Sequence, residues 1–306
     1  MSRPNRRAGR TAGGGGESVL FALAGRLTAR DRWLLDILAD HQVLTTDQIT
    51  RLCFENLRTA QVRLATLAQL GVLDRAKPFY GPHAGRFHYT LGPAGARLLA
   101  AHRGLTLAEL GYRRDALLTL LVSPRIAHLI GVNGFFVGLA HASRTLPAGQ
   151  GLTVWWSEAR AAAMWGGFVR PDGYGTWHTG QCRLDFHVEY DTGSETLARV
   201  HDKLPGYARL ATASGISSPL LLWLPSPARE AHLRARLASG PPHAGVPVLT
   251  ASPEHPIHPG GDPEDTDPAA AVWLPLDATR RLTIAQLADR YGAPHTPAAH
   301  RRPAHP

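Results

Sequence analysis

Apolar residues begin to recur at helical spacing from Thr28: in LTARDRWLLDILADHQ, Trp33, Leu34, Ile37 and Leu38 share one face, with Thr28 placed to cap the helix and Asp31 three residues on. TTDQITRLC follows as a shorter helix capped by Thr45 or Thr46. NLRTAQVRLATLAQLG then sets Ala60, Leu64 and Leu67 on one stripe that Gly71 closes. After it the pattern changes to strand-like runs, VLDRAKPFY and GRFHYTLG, around the turn residues Gly81, Pro82 and Gly85. Three helices followed by a hairpin predict a winged helix-turn-helix.

Further on, GPAGARLLAAHRG reads as a short helix and residues 123–145 as a longer, largely buried one leading to a second unit. That unit opens with the strand LTVWWSEA, with Glu158 near its end. It continues with a strand at Leu184–Tyr190, the helix ETLARVHDKLPGYARLA, the strand PLLLWLP, the helix PAREAHLRARLA and the strand VPVLTA. Strands alternating with helices argue for an α/β sheet with some parallel pairing. The expected fold class is therefore α+β / α/β: a winged helix-turn-helix followed by an α/β domain. Residues 251–271, rich in Pro, Gly and Asp, read as a loop, and AVWLPLD as a late strand. The expected bounds are a disordered basic arm at 1–17, a winged-helix domain at 18–104 and a helical linker at 105–150. The α/β domain follows at 151–250, a loop and C-terminal extension at 251–292, and a disordered tail at 293–306.

Composition narrows the function. Of 33 basic residues all but Lys77 and Lys203 are arginine, the net charge is +9 and the pI is near 10.2, a balance suited to a polyanionic partner. The arginine bias, with heavy Ala, Gly and Pro usage, also fits the codon habit of a GC-rich genome. It makes the two retained lysines conspicuous. Cys53 and Cys182 have no C-x-x-C spacing, which argues against a disulfide framework or a zinc site and for a reducing cytoplasm. VLFALAG is too short and too closely flanked by charge for a secretory signal, so no membrane partner is expected.

Two sets of residues carry candidate chemistry. In a helix-turn-helix the second helix of the pair enters the major groove, which points to Arg58, Thr59, Gln61 and Val62, with Arg63 on the flank. Lys77 and Arg86 enter and leave the wing. Such modules also serve as protein-interaction or dimerisation units. The second set surrounds LDFHVEYDTGSETLARVHDKL. Alternation puts Asp185, His187, Glu189 and Asp191 on one side of a strand. Upstream, Asp172 follows Pro171 and stands 17 residues before Glu189, a hairpin's separation. Nucleases with a restriction-endonuclease-like core hold Mg²⁺ between an Asp at the start of one strand and a Glu or Asp near the end of the next. Their lysine, usually two residues after the second acid, is replaced here by Asp191. The role would fall to Lys203, which shares a helix face with Glu195, Arg199 and Tyr207. The metal set is then Asp172, Glu189 and Asp191, with Lys203 as the fourth catalytic candidate and Mg²⁺ as the cofactor. A strand edge followed by a solvated helix accounts for the same pattern without chemistry. No phosphate-binding glycine loop is present: Gly13–Gly16 lead into Glu17 and Ser18.

The order RTAQVRLATLAQLGVL, HLIGVN, RPDG, VEYDTGSET and KLPGYARL resembles the actinobacterial replication-relaxation family of plasmids and integrated mobile elements, over about residues 28 to 250. The resemblance implies a role in plasmid replication, DNA relaxation or transfer, and a C-terminal fold of the restriction-endonuclease-like, PD-(D/E)xK type. The matching site positions are Asp172, Glu189, Asp191 and Lys203. Double-stranded DNA is the expected partner, with a homodimer and replication or transfer proteins as further candidates. Two functions stay open: Mg²⁺-dependent nicking, or a non-catalytic DNA-binding accessory or transcriptional regulator on a degenerate nuclease-like scaffold.

Overall fold

A computed structural model describes residues 20–77, 85–194, 196–238, 245–253 and 266–295. The expected arm at 1–17, the wing tip at 78–84, Glu195 and the tail beyond 295 lie outside the described residues.

The first unit comprises α1 (Ala29–His41), β1 (Leu44–Thr45), α2 (Thr46–Cys53), α3 (Leu57–Gln69), β2 (Leu73–Ala76), β3 (His88–Leu91) and α4 (Pro93–Arg103). Side-chain caps set the helix starts. Thr28 and Asp31 form a reciprocal capping box on α1, Thr45 and Gln48 form another on α2, and Asn56 accepts from the Thr59 N–H at the start of α3. The strands form an antiparallel sheet in the order β1-β3-β2, so a short strand between α1 and α2 adds to the expected hairpin. Leu34, Leu38, Ile49, Leu64 and Leu67 close the core beneath it. Arg63 anchors α3 to α1: its Nε is 3.1 Å from Asp31 Oδ1, and a second nitrogen donates to the Arg26 carbonyl at 3.0 Å.

After α5 (Arg114–Leu121) comes α6 (Ile126–Ser143), apolar around most of its circumference because both units pack on it. Its length and hydropathy would suit a membrane span; instead Val137 enters the first core while Phe135, Phe136 and Leu139 enter the second. Polar side chains fasten it to the first unit. Asn133 Nδ2 donates to the carbonyls of His41 (3.1 Å) and Val43 (2.7 Å), and Gln48 Nε2 donates to Ile130 O (2.8 Å). The carbonyl of Arg51 accepts from Arg144 at 3.1 Å and lies 3.2 Å from His141 Nδ1. Between the two carbonyls that Asn133 holds lies Gln42, a non-glycine residue at φ 67°. Its tight reversal is closed by the Val43 N–H on His41 O, 2.8 Å.

The second unit is built on a seven-stranded mixed sheet. Strands β4 (Gly151–Ser157), β5 (Gly173–His178) and β6 (Cys182–Tyr190) run antiparallel. β7 (Leu220–Trp223) and β8 (Val248–Ala251) then pair parallel, and β9 (Leu274–Pro275) is antiparallel at the edge. The connecting helices are α7 (Glu158–Trp165), α8 (Leu197–Ser214) and α9 (Pro227–Ala238). Leu184, Phe186 and Val188 of β6 face the α6 side, as their alternation requires.

Three expectations change. Glu158 opens α7 instead of ending a strand, because the Ala-rich EARAAAMW favours helix once the chain leaves the sheet after Ser157. The extension at 251–292, where AVWLPLD supplies β9 as the expected late strand, also folds an unexpected helix, α10 (Ile284–Tyr291), capped by Thr283 and Gln286. Residues 293–295, expected in a disordered tail, begin with β10 (Ala293–Pro294), which pairs with Arg183 and Cys182 of β6; the His295 N–H then reaches Gln181 O at 2.7 Å.

Candidate functional site

The β5–β6 register brings the two expected acids together. Gly173 pairs with Val188, so Asp172 and Glu189 stand opposite each other one step further along the same ladder. Asp172 is fixed there by its own N–H on Val188 O (3.0 Å) and by its Oδ2, which accepts the Tyr190 N–H at 2.8 Å.

α8 crosses above them. Gly206 lets it approach closely, since a Cβ at that position would come within 2.6 Å of Phe168 O. One turn apart on the underside, Lys203 donates to Glu189 Oε2 and the Tyr207 hydroxyl donates to Oε1 at 2.7 Å. The i, i+4 spacing legible in the sequence thus delivers both donors to one carboxylate. Glu195, which extends that spacing, lies outside the described residues.

The electrostatics of the two acids diverge. Burial, then the negative charge of Asp172, lifts the Glu189 carboxyl to about 8 against the pull of Lys203 and Tyr207. Burial also works to raise Asp172, but hydrogen bonding and charge from His128, helped by Lys203 and the Tyr190 N–H, hold it below the usual carboxylate range. His128, from the first turn of α6, was not singled out by sequence. Its Nε2 lies 3.3 Å from Asp172 Oδ1, a contact spanning 44 residues that no local pattern could show.

These groups line a cleft of about 900 Å³ between α6 and α8, at the carboxyl ends of β6 and β7. Ala127, Gly131 and Gly134 form the α6 wall, and a Cβ on Gly131 would strike the Tyr190 ring at 2.3 Å. Arg125, Arg170 and Arg199 stand at its rim. Asp191, expected at the metal, is engaged elsewhere: its carboxylate pairs with Arg229 of α9 and accepts the Gly193 N–H at 2.7 Å. The other polar residues of the strand face are also occupied. Asp185 accepts from Thr176 (2.6 Å) and Arg183, while His187 is enclosed by the rings of Trp165, Tyr174 and Tyr207. Burial holds His187 neutral, its pKa down to about 4.

On the first unit, Arg58, Thr59, Gln61 and Val62 form the exposed face of α3, with Val62 57% exposed. Arg63 is turned to Asp31. Lys77 is exposed 5.5 Å from the Phe87 ring centroid, and Arg86 is 3.7 Å from Asp47.

The arrangement defines an α+β protein in which a helical unit with a small sheet is fastened to a seven-stranded mixed sheet bearing a carboxylate–lysine cleft. The replication-relaxation family profile matches residues 35–220, more than half of the chain, and the protein belongs to that family. No curated protein and no solved structure matches it.

Proposed function

We propose that the protein is a DNA-binding factor of plasmid or mobile-element replication, relaxation or transfer, with a Mg²⁺-dependent strand-nicking site in its second unit. Membership of the replication-relaxation family supports the setting. Three helices with the β2–β3 hairpin suit a winged helix-turn-helix that presents α3 to the major groove and the hairpin to the flanking backbone. The succession α6, antiparallel β4–β6, α8 and parallel β7 suits a restriction-endonuclease-like core.

One observation carries the chemistry: Asp172 and Glu189 face each other in a cleft with Lys203 on the second carboxylate. Among the described residues no cluster of three or more His, Cys, Asp or Glu is arranged for a metal. Two carboxylates nevertheless suit Mg²⁺, which keeps several waters and is commonly held by one or two carboxylates together with substrate phosphate. When bound, Mg²⁺ supplies charge that polarises the scissile phosphate and acidifies an attacking water. The chain's own groups set the geometry. His128 and the Tyr190 N–H orient Asp172, and Tyr207 orients Glu189. Lys203, whose side chain is 35% exposed, is placed to meet phosphate and offset the charge that develops on it.

The non-catalytic reading is favoured by one feature, the Asp191–Arg229 pair where such cores carry lysine. Incubation of supercoiled plasmid with the protein and Mg²⁺ separates the two. Nicking lost in Glu189→Ala and Lys203→Ala, with DNA affinity retained, is the expected outcome; intact plasmid with a salt-sensitive gel shift means a DNA-binding accessory.

A further inference from the structure

The cleft and the α3 face differ in what they can admit, and α6 fixes one relative to the other. The carboxylates that must approach a scissile phosphate are nearly covered: the side chains of Asp172 and Glu189 are 13% and 7% exposed. At about 900 Å³ the cleft is near the upper end of small-ligand pockets, about 300–1,000 Å³, room for a short run of nucleotides rather than a double helix. Around the carboxylates Glu158, Asp172, Glu189 and Asp191, its lining sets an equal number of cationic groups (Arg125, Arg170, Arg199, Lys203) beside apolar surface from Ala127, Gly131, Val200 and Pro225. That mixture suits an unpaired strand, which brings phosphates and exposed base faces together, better than a duplex, which presents mainly its backbone. The α3 face, in contrast, is exposed along Leu57, Arg58, Thr59, Gln61 and Val62, as a major-groove reader requires.

Resting on the function proposed above, we infer that the substrate is partly unpaired DNA: a duplex held by α3 and a neighbouring single strand lying in the cleft along Arg170 and Arg199. α6 sets the spacing between the two parts, because Asn133 grips the first unit on one side while His128, on the same helix, contacts Asp172 on the other.

The test is fluorescence anisotropy of the full chain on three labelled DNAs, a duplex, a single strand and a forked duplex carrying both, with Ca²⁺ in place of Mg²⁺ so that binding is read without cleavage. The fork should bind several-fold tighter than either part. Arg170→Ala with Arg199→Ala should remove that advantage and lower the salt slope on the fork by about one per lost phosphate contact, leaving duplex binding unchanged. Arg58→Ala with Gln61→Ala should do the reverse. A fork that binds no better than duplex, or rim variants that weaken both DNAs equally, overturns the inference. Cleavage with Mg²⁺ is scored separately. Fork preference without nicking would sink the nuclease and leave the unpaired-strand site standing, whereas equal nicking of duplex and fork would do the opposite.

Discussion

Glu189 shows how one side chain can trade stability for chemistry. Its carboxyl sits near 8 because burial and Asp172 disfavour its ionised form. Relative to the unfolded chain the native state holds this proton more tightly, so stability falls as pH rises from about 4.5 towards 8, by about 1.4 kcal/mol per unit at most. Glu189→Gln keeps the shape and a partner for Tyr207 while removing the ionisation. Urea unfolding should therefore show the variant gaining on the parent as pH rises from 6 to 8, while nicking disappears. A variant that loses ground over that range would mean that the Lys203 ion pair outweighs the burial cost. Tyr207→Phe tests the other donor. It leaves Glu189 Oε1 without its partner and should cost about 1–3 kcal/mol in the same assay.

At the scale of elements, the polar clamp on α6 is the feature to break. Asn133→Ala strips the buried Val43 carbonyl of its side-chain donor and leaves the His41 carbonyl, and with it the positive-φ reversal at Gln42, held only by the Val43 N–H. A loss of about 1–3 kcal/mol is expected, chiefly from the Val43 carbonyl, because the His41 carbonyl keeps the Val43 N–H. Denaturation should also separate into two transitions, one per unit, if this clamp is what couples them. The helix itself was legible in its apolar run, and so were the alternation of β6 and the Lys203–Tyr207 spacing in α8, because each is a periodicity within one element. What periodicity could not supply is contact across elements. His128 reaches Asp172 across 44 residues and Arg229 reaches Asp191 across 38, so the first was missed and the second acid was given to the metal set. α7 was hidden for a different reason. The aromatic run before Glu158 reads as strand, and its helical continuation is only eight residues long.

For the whole molecule the junction between the units also sets the response to acid. His41, at the end of α1, is 2% exposed and stacks on Trp155 of β4 with ring centroids 3.8 Å apart. Burial, reinforced by the charge of Arg160, depresses its pKa to about 3. Unfolding returns it to about 6.5, so the unfolded state takes up a proton that the native state refuses. The stabilisation is complete above pH 6.5 and is lost as pH falls, at about 1.4 kcal/mol per unit. His187, held near 4 inside the second unit, adds a similar slope down to its own value. Between pH 6 and 5 the two together should cost the intact protein about 2–3 kcal/mol. His41→Phe, which preserves the stack on Trp155 without a titrating group, should halve that slope and leave His187 to account for the rest. Because Trp155 contacts the cores of both units, the difference in tryptophan emission between the parent and Trp155→Phe, which removes one of the seven tryptophans, should report the acid transition at the junction. In the parent the tryptophan signal and the loss of helix by circular dichroism should coincide, since the junction opens only when α6 is released. A tryptophan change that precedes helix loss by a full pH unit would show instead that the units part while each is still folded.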